Sequence, residues 1–361
     1  MFQLCVPLAA LALQLTASSA PHRTETLYSR SLYPVIAGAL GGASGGVGFS
    51  AAEGLCVLGA VAAGWLLSGR LRRLRREGVS TTLVLCDLAF AVGVTWLAFL
   101  ICWGFNYQRA PFAASAGLDV SPASVSELAT VGAHLVASAN ELRHGLLEDA
   151  RGAMILRDGR VNTLAGVALG YREVSARYSF VPRAGMRPKP LLSSPLFSYL
   201  GITGVYFPFS AEANVNMTLP DAELPFSAAH ELAHRLGFAR EDEASFLGYL
   251  ACRLHPDGDL RYVGALAASR YTLAAVASVD RGAYDSIAAR RTPAVRRDLE
   301  AIAEWSRRYR SRAAAVSTVV NDAYLRAQGE RRGVASYGRM VDLLIAERRS
   351  GVAWPGDRHQ P

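Results

Sequence analysis

The sequence predicts an α+β protein that is mostly α, with N-terminal transmembrane helices followed by an extracytoplasmic domain carrying a small sheet. Three observations predict this: apolar stretches concentrated before residue 104, amphipathic helical patterns after it, and one Pro-, Gly- and Ser-rich stretch with short β-like runs. The 361 residues accommodate a membrane anchor at 1–103 and one sizeable domain at 104–361. A hydrophobic content of 51% and a mean hydropathy of +0.18 are high for a soluble chain, and the excess lies near the N-terminus.

The anchor contains apolar stretches at 2–20, 47–68 and 81–103. The second and third approach the roughly 20 apolar residues that cross a bilayer core as helix. The first has two readings. Met1-Phe2-Gln3 lacks the basic start of a secretory signal, which favours a retained helix, whereas Ala17-Ser18-Ser19-Ala20 resembles a cleavage site. Two or three transmembrane helices are therefore expected. Five arginines, Arg70, Arg72, Arg73, Arg75 and Arg76, crowd a loop expected at 70–77, and the positive-inside rule assigns that loop to the cytoplasm. The third stretch then runs outward, and the following domain is extracytoplasmic. The net charge of +8 owes much to this run, so the basic balance signals membrane topology rather than a nucleic-acid partner. Asp87, inside the third stretch, is a costly charge with two readings, a functional residue or one that snorkels or pairs with the arginine run, of which the second is preferred. Of five cysteines, Cys5, Cys56, Cys86 and Cys102 fall in or beside the apolar stretches, which leaves Cys252 with no disulfide partner in the outer domain.

In the outer domain, Ser124-Val125-Ser126-Glu127 has the form of a capping box opening a helix to about Leu147. A second helix is expected over 161–178. From Arg183 to Asp221 the expected strands are 204–209 and 213–216, with Pro208 marking an edge or bend. Pro225 starts a helix through Leu236, Gly237 ends it, and Glu241 begins another to about Arg253. Thr292-Pro293 caps a long helix to about Gln328, and 334–347 forms the last.

The chemistry centres on His230-Glu231-Leu232-Ala233-His234, an HExxH motif. Positions i and i+4 share a helix face, so both imidazoles can reach one Zn2+ ion, while Glu231 flanks them as a general base for water. A catalytic zinc needs a third protein ligand. Glu241 and Glu243 both qualify, with Glu241 preferred because its Glu-x-x-Ala resembles the zinc glutamate of membrane-bound gluzincins. The expected set is thus His230, His234 and Glu241 as metal ligands and Glu231 as catalytic base, in a zincin-like domain. Tyr206 and Tyr337 are candidates for stabilising an oxyanion, and 212–216 for pairing with an extended peptide as an edge strand. His255 is read as a surface turn residue.

Pro195 to Ile202, Tyr206 to Phe209, Glu212 to Asn216, Gly104-Phe105-Asn106-Tyr107, Ser336 to Arg339 and the block His230 to Cys252 together resemble the bacterial family of domain of unknown function 3810. The resemblance implies a multi-pass membrane protein with a zincin-like domain. It names no substrate, and Ser245 stands where related sequences tend to have Asn. The expected function is a membrane-anchored zinc metallopeptidase (a hydrolase) that cleaves a peptide or protein substrate outside the membrane. The rivals are a non-catalytic zinc-stabilised membrane scaffold and an intramembrane protease.

Overall fold

The computed structural model describes residues 4–76, 80–330, 332–352 and 354, and the side chains of Leu71, Leu74 and Tyr337 also lie outside the described set. Three expectations therefore fall outside it: the start of the first apolar stretch, Glu77 at the end of the basic loop, and the Tyr337 phenol. The chain forms two compact units, Met1–Ala110 with Phe207–Glu212, and Pro111–Tyr206 with Ala213–Pro361.

In the first unit, Ala51–Arg70 and Thr81–Cys102 are long and apolar enough to cross a membrane. The first stretch forms a helix over Cys5–Ser19 that, at about 1.5 Å per residue, spans only about 22 Å, short of a bilayer core. It packs against Thr81–Cys102 at Gly93, where an added Cβ would stand 2.7 Å from Pro7 Cδ. The arginine run is not the expected loop: the second helix continues through it, as Ala51–Arg76. Leu and Arg are good helix formers, and cations in a last turn complement the helix dipole. Arg70 pairs with Asp87 at 2.5 Å. Between the apolar helices, Thr24–Leu32 is a π-helix that supplies Glu25, whose carboxylate takes a bidentate bond from buried Arg109 at 2.7 and 2.8 Å.

In the second unit, Val125–Arg143 begins at Ser124, whose side chain accepts from Glu127 N as the capping box requires, a feature worth about 1 kcal/mol. The helix expected over 161–178 is two, Gly159–Gly166 and Ala168–Arg177. The long helix expected to Gln328 is also two, Pro293–Arg308 and Arg312–Ala327, because the Ser311 side chain accepts from Ala314 N and starts a new helix. The chain closes with a 3-10 turn at Gly333–Arg339 and the helix Met340–Arg349.

Glu241–Arg253 is buried along its whole length. It packs against Leu224–Arg235, Gly258–Val279, Ala168–Arg177 and Met340–Arg349. Glycines permit such close packing. A Cβ on Gly170 would strike Ala251 O at 2.0 Å, and one on Gly264 would strike Cys252 Cβ at 2.6 Å.

The sheet is small and corrects one expectation. Its strands are β1 (Lys189–Pro190), β2 (Gly204–Phe207) and β3 (Glu212–Val215), in the order β1-β3-β2. β3 is therefore central: it pairs in parallel with β1, Lys189 opposite Asn214 and Pro190 opposite Val215, and has β2 on its other side. At Asn214 and Val215 the outer edge is taken by β1, so β3 is not the free edge strand expected over 212–216. Glu212 has a different task, accepting from Ala52 N at 2.7 Å and Ala51 N at 3.3 Å and so capping the start of Ala51–Arg76.

Candidate metal centre

The motif helix, Leu224–Arg235, starts with Pro225 in its first turn, where the missing N–H is not needed. All twelve of its residues are buried. Gly237, at φ +89°, adopts the left-handed conformation that a side chain disfavours and turns the chain, directing the Phe238 carbonyl back to His234 Nδ1 at 2.8 Å. Arg240 then precedes the second helix, which brings Glu241 against the motif. Gly248 permits the approach of the two helices, since a Cβ there would lie 3.1 Å from His230 N.

His230 Nε2, His234 Nε2 and Glu241 Oε2 form a triangle. Its sides are 3.0 Å between the imidazoles, 3.1 Å from His230 to Glu241 and 3.4 Å from His234 to Glu241. A tetrahedral ion with bonds of about 2.0–2.1 Å has ligand–ligand edges of about 3.3 Å, so the triangle matches one face of such a shell. Two imidazole nitrogens facing each other at 3.0 Å and sharing one carboxylate oxygen also need a cation or proton between them. Both outer nitrogens are engaged: His234 Nδ1 with Phe238 O, and His230 Nδ1 with Ser245 Oγ at 3.2 Å. These bonds fix the ring orientations and keep both Nε2 atoms turned inward. Ser245 also hydrogen-bonds the Tyr271 hydroxyl.

Without an ion the cluster holds a proton. Burial pushes the His234 pKa down, but the Glu241 carboxylate outweighs it and raises the value from 6.5 to about 9. Burial pushes the Glu241 carboxyl up, but the two imidazoles hold it well below the usual carboxylate range.

Glu231 stands beside the triangle and is not part of it. Burial raises its pKa, while the two histidines oppose the rise and the Tyr206 backbone N–H bonds its carboxylate. Gly204 of β2 lies against its side chain. Of the two candidate third acids, Glu243 is otherwise engaged: its carboxylate accepts from Phe112 N at 2.7 Å and from Arg240 at 3.0 Å. Among the described residues, His230, His234 and Glu241 are the one group of three or more metal-binding side chains that converges.

The other sequence candidates fall elsewhere. Tyr206 reaches the cluster through its backbone N–H to Glu231. His255 is buried rather than on the surface, with Nε2 bonded to Gly166 O and Nδ1 accepting from Asp257 N, which makes it a brace for its own turn. Sequence reasoning missed Gly204 and the Phe238 carbonyl as supports, though Gly237, flagged as a helix terminator, hinted at the second; Ser245 stood out only as a departure from the related Asn.

No curated protein and no solved structure matches the chain. The family described as Protein of unknown function (DUF3810) matches residues 28–345, and the chain belongs to that family.

Proposed function

We propose that this chain is a membrane-anchored zinc metallopeptidase that hydrolyses peptide bonds on the extracytoplasmic side. The observation that carries the reading is the donor triangle of His230, His234 and Glu241 with a separate, buried carboxylate, Glu231, at its flank. Two neutral imidazoles and one carboxylate are a donor set suited to zinc, with one coordination position left for water or substrate. When bound, zinc would supply a Lewis acid. Glu231 has a complementary role, taking a proton from an attacking water and passing it to the leaving amine. Its raised pKa brings its proton affinity closer to neutral pH, and the Tyr206 N–H holds its orientation.

Two features bear on location. Ala51–Arg70 and Thr81–Cys102 suit a bilayer, and the arginines at the end of the helix Ala51–Arg76 suit the cytoplasmic side. A reporter fused after Pro361 is then expected to give an extracytoplasmic readout, and a cytoplasmic one overturns the topology. The motif helix, at twelve residues, is too short for an intramembrane protease whose HExxH lies within a spanning helix.

The test is hydrolysis of a pool of fluorescence-quenched peptides by the purified full chain. Activity lost with a chelator and restored by zinc supports the proposal. Stoichiometric zinc with no cleavage of any pool favours the scaffold instead.

A further inference from the structure

The helix Arg312–Ala327 carries no charged residue between Arg312 and Asp322. It buries one narrow stripe: Ala314 packs near Gly201, and Leu325 is buried on the same side. The opposite face is apolar and open, with Val316, Val319 and Val320 at 63%, 69% and 62% exposure and Tyr324 following one turn later. These positions follow an i, i+3, i+4, i+8 pattern, so they form one strip. Leaving such a strip in water is unfavourable, at about 25 cal/mol per Å².

Charge identifies what covers it. Arg307, Arg308, Arg310 and Arg312 crowd the start of the helix. Arg312 occupies its first turn, where the helix dipole disfavours a cation. That placement is a local cost unless an anionic surface lies alongside. The nearby acids are already engaged: Glu300 with Arg307, Glu304 with Arg151 at 3.1 Å, and Asp322 with Arg326 at 2.7 Å. Among the described residues Arg310 and Arg312 make no ion pair, and a second copy of this face would bring further arginines rather than counter-charge. An apolar strip with an arginine cluster at one end and a tyrosine at the other is the pattern of a helix lying in a membrane interface.

We propose that Arg312–Ala327 is an interfacial helix that docks onto a bilayer surface, with the valines among the acyl chains and Arg310 and Arg312 on anionic lipid headgroups. The contact is independent of the metal centre, so it stands whether or not the chain is a peptidase.

The test places a photo-crosslinking benzoylphenylalanine at Val319 in the full chain and reconstitutes it in nanodiscs of phosphatidylcholine with or without phosphatidylglycerol. Irradiation is expected to yield lipid adducts, more with the anionic lipid, while the same probe at exposed Val161 yields several-fold fewer. Adding Arg310→Glu with Arg312→Glu is expected to cut the adducts at 319 several-fold in anionic discs. Crosslinking mainly to a second copy, no adduct at all, or equal yields at 319 and 161 would each overturn the proposal.

Discussion

A methyl group on Gly204 would stand 2.5 Å from Cγ of Glu231 and 2.8 Å from its Oε1, so β2 is built to touch the flank carboxylate. Gly204→Ala is therefore expected to leave zinc content and fold intact while moving Glu231. A displacement of about 1 Å at a catalytic group costs on the order of 100-fold in turnover. Steady-state kinetics beside metal analysis checks this, and unchanged turnover would mean that β2 does not position Glu231.

Glu241 and Glu243 should separate cleanly. Glu241→Ala removes one corner of the triangle and is expected to abolish stoichiometric zinc. Glu243→Ala instead frees Phe112 N and Arg240, so it is expected to lower the melting temperature while zinc remains. Metal content and thermal unfolding on both variants decide the assignment, and the reverse pattern would transfer the ligand role to Glu243.

Zinc uptake is expected to release protons. The His234 pKa is raised from 6.5 to about 9, so the contact of its imidazolium with Glu241 stabilises the metal-free protein fully below about pH 6.5 and is lost as pH rises through about 9. Zinc binding needs the neutral ring. Affinity should therefore climb by up to about tenfold per pH unit as pH rises toward about 9 and level off above. Calorimetry in two buffers of different ionisation enthalpy measures the released proton, and an identical heat in both contradicts the linkage.

Glu347 closes a buried bidentate pair with Arg253 at 2.6 and 2.7 Å, bracing the second site helix against the last helix. Glu347→Ala leaves a buried guanidinium unpaired, at a cost of about 3–5 kcal/mol. A chemical-denaturation midpoint that shifts down accordingly checks this.

Much of the site could be read from the chain because it is local. HExxH at helical spacing, Gly237 as terminator and the acids opening the next helix all lie within fourteen residues, and helix geometry alone brings them near one another. What could not be read depends on distant backbone. β1 is two residues long and contains Pro190, so no alternation announces it, and without it β3 looks like an edge. Gly204 meets Glu231 across twenty-seven positions, a contact that no periodicity encodes. The break before Arg312 was hidden because the flanking residues continue a helical composition and only the Ser311 hydroxyl starts the second helix.

The central claim is that Glu231 does chemistry while His230, His234 and Glu241 hold the ion, and Glu231→Gln separates the two roles. The amide keeps the shape of the side chain and removes its ability to accept a proton. Zinc stoichiometry should remain that of the wild type, while turnover on the peptide pool falls by about 10²–10⁴-fold, the range for general acid–base assistance. A variant that retains zinc and cleaves peptides at the wild-type rate would contradict the account.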